Sequence, residues 1–238
     1  MNVSFRKTSL VDYPGRVAGS LFFPGCALRC PWCHNRSLVL GGESDLIPLE
    51  AVLKHLEKRR ALLSGAVLSG GEPTLYGELP ALIRRVKGLG LSVKLDTNGM
   101  EPVMLERLLQ SPETSPDYIA LDLKAAPERY VFLGSRRESP ENALKTSAAL
   151  VCGSGIPHEF RTLSFPNGFI TEQDIEALAP LADDAPWYFR PFRPGNCLDP
   201  AWDNLEPAGS ASAEALARKA VSLGKRGICP AGYKLPHA

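Results

Sequence analysis

Residues 66–99 read AVLSGGEPTLYGELPALIRRVKGLGLSVKLDTNG. The short apolar runs Ala66 to Leu68 and Leu91 to Leu95 have strand character, and Leu79, Leu82, Ile83 and Val86 between them recur at helical spacing. A strand, a helix with one apolar stripe and a second strand make a βαβ unit, with parallel strands and a right-handed crossover. The alternation continues outward in both directions. Val17 to Phe23 precedes it, followed by a helical stripe at Leu49, Val52, Leu53 and Leu56. Downstream, Tyr118 to Leu123, His158 to Leu163 and Trp187 to Phe192 complete six strands. Helical stripes separate them at Leu105, Leu108 and Leu109, and at Leu144, Ser147, Ala148 and Val151. A further helix opens with Thr171 and Asp174 at capping-box spacing before Ile175 and Leu178, and a last one carries Leu216, Ala220 and Val221. Six βα units in 238 residues predict an α/β fold, a partial (βα)6 TIM-like barrel, because a closed eightfold barrel takes about 250 residues. Ala201 to Ser212 reads as a loop, and no linker or composition break divides the chain, so a single domain over 1–238 is expected.

Hydrophobic residues at 44% and charged residues at 22% match soluble globular proteins and exclude disordered, coiled-coil and low-complexity classes. The formal charge of +1 supplies no global field for nucleic acid or an anionic membrane. No apolar run reaches the roughly 18 residues of a membrane span, and Met1 to Asp12 lacks the apolar centre of a secretory signal, so a cytoplasmic protein is expected. In that reducing compartment the six cysteines read as metal ligands, catalytic groups or buried thiols rather than a disulfide framework.

Chemistry in such folds sits on the loops that follow the carboxyl ends of the strands. The cluster Cys26-Ala27-Leu28-Arg29-Cys30-Pro31-Trp32-Cys33 follows the first strand and Gly70-Gly71-Glu72-Pro73 the second. Asp96-Thr97-Asn98-Gly99 ends the third strand and Asp122-Leu123-Lys124 the fourth, so all four motifs fall on one rim. Three thiolates spaced C-x3-C-x2-C can hold three corners of a cubane iron-sulfur cluster and leave the fourth open. They also suit a structural zinc completed by His34 or a distant cysteine. Gly70 and Gly71 permit close backbone approach to a ligand, or simply a tight turn. Asp96-Thr97-Asn98-Gly99 reads as a turn. Lys124 is a point charge for an anion or a solvated lysine. Arg161, on an inner strand, needs an anionic partner from a ligand or a structural acid. Cys152, Cys197 and Cys229 lack the short spacing of a second cluster, and His55, His158 and His237 have no motif around them.

The C-x3-C-x2-C spacing with Trp32 before the last cysteine resembles the signature of radical S-adenosylmethionine enzymes. The resemblance extends through Val11-Asp12-Tyr13-Pro14-Gly15, Phe22-Phe23-Pro24-Gly25-Cys26, Cys33-His34-Asn35, Gly70-Gly71-Glu72-Pro73, Leu95-Asp96-Thr97-Asn98-Gly99 and Leu121-Asp122-Leu123-Lys124. In that order these motifs are similar to those of glycyl-radical-enzyme activases, most of all the anaerobic ribonucleoside-triphosphate reductase activating proteins, over about residues 6 to 200.

The resemblance implies a 4Fe-4S cluster on Cys26, Cys30 and Cys33, which would carry the catalysis, with S-adenosylmethionine chelating the open iron. One electron from the reduced cluster would split the cofactor into methionine and a 5′-deoxyadenosyl radical that abstracts hydrogen. Trp32, Cys33 and His34 match positions that touch adenine, Gly71 the methionine moiety and Lys124 the cofactor carboxylate. Gly70, Glu72, Asp122, Leu123 and Arg193 complete the implied cofactor-binding set. Likeness to formate-lyase-type activases further implies a monovalent-cation site from Asp96, Thr97, Asp122 and the carbonyl of Ala120. The implied partners are a glycyl-radical enzyme, foremost an anaerobic ribonucleoside-triphosphate reductase, and a flavodoxin- or ferredoxin-type electron donor. Three departures stand out: Tyr13 in place of glycine, Pro24 in place of glutamine, and Arg193, in Arg190-Pro191-Phe192-Arg193-Pro194-Gly195, in place of a cofactor-contacting histidine. The Arg-Pro-Gly-Asn stretch resembles the nucleotide-reductase branch. No cysteine lies between Cys33 and Cys152, so a ferredoxin-like insertion is missing. The alternatives are a radical enzyme on a small molecule or peptide, such as a deazapurine-forming enzyme, and a metal-stabilised binding module without catalysis. Four motifs on one rim argue against the last.

Overall fold

The computed structural model describes residues 1–41, 45–135 and 137–230; His237 lies outside them. The strands are β1 (Asn2–Ser9), β2 (Ala18–Phe23), β3 (Ile47–Pro48), β4 (Gly65–Gly70), β5 (Ser92–Thr97), β6 (Tyr118–Asp122), β7 (His158–Ser164), β8 (Trp187–Pro191) and β9 (Gly227–Ile228). They form one sheet in the order β3-β1-β2-β4-β5-β6-β7-β8-β9. From β2 onward every neighbouring pair is parallel, while β1 is antiparallel to both β2 and β3. All six expected parallel strands are present, and among the described residues the sheet ends on short strands at both edges rather than closing. The α/β architecture with a mostly parallel sheet is that of a partial TIM-like barrel.

The helices are α1 (Arg36–Leu40), α2 (Leu49–Arg59), α3 (Leu79–Gly88), α4 (Pro102–Leu109), α5 (Pro140–Gly153), α6 (Glu172–Leu178) and α7 (Ser210–Ser222). At the start of α6 the Thr171 hydroxyl accepts from the Asp174 N–H at 3.4 Å and the Asp174 carboxylate accepts from the Thr171 N–H at 2.9 Å, closing the expected capping box. On α7 the buried stripe is Ala213, Leu216, Ala217 and Ala220, while Val221 is exposed. Five residues past Leu216 is almost half a turn off its face, which corrects the stripe expected there. The segment expected to be a loop contains a 3-10 turn over Pro200–Asn204 before α7 begins.

Period-two alternation places aliphatic side chains outward and polar ones inward. Leu68, Val93 and Leu95 pack against α2, α3 and α4 in one core, and Ile119, Leu121, Phe160, Trp187 and Phe189 lie in a second with α5, α6 and α7. The intervening residues Ser69, Lys94, Asp96, Asp122, Glu159, Arg161 and Arg190 face the lumen. That lumen is ionic rather than filled with the branched aliphatics common in closed barrels. At the amino ends of the strands Tyr13, 3% exposed, packs with Ala18, Val67 and Tyr118, and a Cβ on Gly65 would come within 2.9 Å of its ring. Tyr13 is therefore a core residue at the opposite end from the motifs. Among the described residues no helix is long and apolar enough to cross a membrane.

Candidate active site at the carboxyl ends of the strands

The loop after β2 is fastened on every side. The N–H of Gly25 donates to the Leu38 carbonyl at 2.8 Å, and the Arg29 guanidinium donates to the carbonyls of Cys26 and Leu28 at 2.8 and 2.9 Å. The Asn35 amide reaches the Gly70 carbonyl at 2.8 Å. Trp32 is buried among Phe165, Phe169 and Trp202, with ring centroids 4.9, 5.0 and 5.2 Å away. Cys26, Cys30 and Cys33 thereby border one cavity of about 410 Å³, within the usual range of small-ligand sites.

The same cavity is lined by Trp32, His34, Gly70, Gly71, Glu72, Asp96, Thr97, Asp122, Leu123 and Lys124, residues from all four sequence motifs. Arg193 is not among them. It is exposed beyond the end of β8, and its carbonyl meets His34 Nε2 at 2.8 Å. Arg190 lines the cavity instead, because register pairs Leu163 with Arg190 and Arg161 with Tyr188, putting Arg190 on the lumen face. Sequence reasoning also passed over Ser69, one residue before Gly70 and on the inward side of β4, whose hydroxyl donates to Asp96 at 3.0 Å.

The two glycines answer to the protein before any ligand. A Cβ on Gly70, at φ +112°, would lie 2.3 Å from the Phe23 nitrogen, and one on Gly71 would lie 1.8 Å from the Gly25 carbonyl oxygen. The backbones of Gly71 and Glu72 instead bond the carbonyls of Phe23 and Gly25, each at 2.8 Å. The buried Glu72 carboxylate continues the seam. It accepts from the Thr74 hydroxyl at 2.6 Å, the Thr97 hydroxyl at 2.9 Å and the Asn98 N–H at 2.8 Å. Burial pushes its pKa above the usual carboxylate range despite those donors.

Across the cavity Arg161 bridges two carboxylates, Asp122 at 2.7 Å and Asp96 at 3.3 Å. Lys94 closes on Asp96, and Lys124 on Asp122 at 3.0 Å. Burial works to raise the pKa of Asp122, but Arg161 and Lys124 outweigh it and hold the group well below its ordinary value. Burial likewise works against charge on Lys124, and Asp122 outweighs it. Three protein cations thus meet two carboxylates, the Thr97 hydroxyl is given to Glu72, and Ala120 is buried within the ladder. These residues do not fit a monovalent cation: the position between Asp96 and Asp122 is taken by the Arg161 guanidinium.

The cysteine loop does fit a cluster. Burial pushes the Cys26 thiol up to about 11 and the Cys30 thiol up to about 12, so both remain protonated until a metal takes the proton's place. The Leu28 N–H and the Asn98 amide both donate to Cys26 Sγ at 3.4 Å, as donors to a sulfur ligand do. All cysteines are free, and Cys152, Cys197 and Cys229 lie outside the cavity lining. Ligands of one zinc each stand about 2.0–2.3 Å from it. Among the described residues Cys26, Cys30, Cys33 and His34 do not gather within the 4.8 Å such donors share, which disfavours the single-zinc alternative.

The Radical SAM superfamily profile matches residues 20–182. An inferred glycyl-radical enzyme activating enzyme of Methanocaldococcus jannaschii is 31% identical over 202 residues, covering 83% of this chain and 82% of its own. Pyruvate formate-lyase 1-activating enzyme of Escherichia coli is 34% identical over 132 residues, 51% of this chain and 50% of its own length. A radical SAM methyltransferase from Sphaerobacter thermophilus shares the fold, with TM-score 0.69 at 18% identity over 92% of this chain and 67% of its own. Members of the family bind a 4Fe-4S cluster and S-adenosylmethionine. By its matched length and by this site, the chain belongs to the radical S-adenosylmethionine superfamily.

Proposed function

We propose that this protein activates a glycyl-radical enzyme, specifically an anaerobic ribonucleoside-triphosphate reductase, by taking a hydrogen atom from a glycine of that partner. The observation that carries the reading is the set of three buried or half-buried thiols around a cavity whose described lining holds no fourth cysteine. Bound there, the cluster and S-adenosylmethionine supply an electron and the hydrogen-abstracting radical; the protein's share is to hold, orient and shield them. Cys26, Cys30 and Cys33 hold the cluster. Gly70 and Gly71 set the spacing between the cysteine loop and the cofactor wall. Lys124 and Arg190 offer positive charge to the cofactor carboxylate, and Trp32, Cys33 and His34 border its adenine.

The aromatic enclosure of Trp32 keeps water from that side. The unclosed sheet leaves a lateral gap through which a partner's glycine loop can enter. The similarity to the two activating enzymes and the Arg193-Pro194-Gly195-Asn196 stretch support an activase, the latter favouring the nucleotide-reductase branch. In this reading the chain is one domain, works in the cytoplasm and draws its electron from a flavodoxin- or ferredoxin-type donor.

The test is anaerobic reconstitution followed by mixing with an anaerobic ribonucleotide reductase. Reductant-dependent release of 5′-deoxyadenosine together with a glycyl-radical signal on the partner is the expected result. Cofactor cleavage without that signal favours a small-molecule or peptide substrate. No iron-sulfur cluster on the cysteine loop and no cleavage return the protein to the class of binding modules.

A further inference from the structure

At the end of the barrel opposite the cysteine loop, three donor atoms of different softness converge. Cys152 lies in the last turn of α5, His158 opens β7, and Asp183 stands in the turn before β8. One ligand atom from each residue lies within 4.8 Å of the other two, the only such His/Cys/Asp/Glu grouping among the described residues.

The histidine is oriented by its neighbours. His158 Nδ1 is 2.8 Å from the Ile156 carbonyl, which can only accept, so Nδ1 carries the proton. Nε2 then faces both carboxylate oxygens of Asp183, each at 3.1 Å. A ring lone pair set against a carboxylate is repulsive unless a positive centre lies between them, either a second proton or a metal ion. A proton would satisfy that pair without the sulfur. Cys152 Sγ nevertheless completes the same point, where it meets the Asp183 carboxylate and stands a long 3.6 Å from the Leu181 carbonyl. Asp183 is itself braced by the Ala185 N–H at 2.9 Å. A metal-ligating histidine whose other nitrogen donates to a backbone carbonyl, beside a braced carboxylate, is the usual outer-shell arrangement of a transition-metal site. Sulfur, imidazole and carboxylate together suit zinc, and all three residues are only half-buried, which leaves an entry path.

We propose that Cys152, His158 and Asp183 form a zinc site, separate from the cluster loop, that ties the end of α5 to the starts of β7 and β8. Binding exchanges the thiol proton, released to solvent, for a zinc–sulfur bond, with no change of oxidation state. The inference is independent of which partner the protein activates.

The test uses the full-length chain with Cys26, Cys30 and Cys33 replaced by alanine, titrated with cobalt(II) as a spectroscopic stand-in for zinc. One equivalent should develop a thiolate-to-cobalt charge-transfer band that zinc bleaches, and a further Cys152→Ser substitution should remove it. No such band, or one that survives Cys152→Ser, overturns the proposal. Should that chain fail to fold, the cluster-loaded wild type is dialysed against zinc. It should retain one zinc per chain and melt at a higher temperature, whereas Cys152→Ser and Asp183→Asn should bind at least tenfold more weakly. Equal zinc retention by wild type and both variants overturns it as well.

Discussion

Two walls of the same cavity are finished differently. On the β5, β6 and β7 side Asp96, Asp122, Arg161, Lys94 and Lys124 satisfy one another inside the protein. On the cysteine side the sulfurs are held by a firm backbone frame, and an N–H and an amide donate to Cys26 as they would to a metal-bound sulfur. The charged wall is complete as folded; the sulfur wall is built around something supplied from outside. Losses on the first, Lys124 apart, should register as stability, and losses on the second as cofactor chemistry with the fold retained.

The largest effect belongs to the sulfur wall. Cys30→Ala should abolish cluster assembly and 5′-deoxyadenosine release while the protein stays folded, read by iron content, product and circular dichroism; a variant that still releases product refutes the assignment. Next comes Arg161→Gln, which leaves the half-buried Asp96 and Asp122 with one lysine each in place of two cations and should cost about 1.5–3 kcal/mol in urea unfolding. A cost below about 1 kcal/mol would mean that the ionic wall is not self-satisfied. Gly71→Ala lies between the walls. Its Cβ must displace the Gly25 carbonyl, so a loss of about 1–3 kcal/mol and a cluster that loads poorly are expected together.

A smaller, pH-dependent effect belongs to Asp174, away from both walls. Burial tends to raise its pKa, but the Thr171 and Ala126 N–H groups and Arg129 outweigh it and depress the folded value. A depressed carboxylate contributes above its unfolded pKa of about 3.9 and loses that contribution as pH falls through the folded value. Asp174→Asn should therefore be less stable than wild type at pH 7, with the gap narrowing below about pH 4 in paired melting curves. The smallest expected effect is none at all. With Arg161 between Asp96 and Asp122, exchanging sodium or potassium for a bulky organic cation at constant ionic strength should leave cofactor cleavage unchanged; a strong dependence would break the contrast between the walls.

The six parallel strands were legible because their buried faces are written as short apolar runs, and the helices because of stripes such as Leu79, Leu82, Ile83 and Val86. β1 was not legible. Its Asn2, Arg6 and Lys7 look like a polar N-terminus, and it pairs on one side only with a strand of two residues. The rim motifs were legible because each is contiguous on one loop. Arg190 was not, since its place depends on the β7–β8 register, and neither was the Arg161 bridge, because nothing local says that Arg161 will reach acids on two neighbouring strands. Cys152, His158 and Asp183 carried no motif because only the tertiary fold brings them to one point.

The contact between Gly71 and the Gly25 carbonyl bears on how relatives of this protein are compared. A library randomised at position 71 and sorted only for soluble expression, with no selection for turnover, should return glycine. Invariance at that column would then record crowding between two stretches of main chain, and it could not be cited as proof that a small molecule rests there.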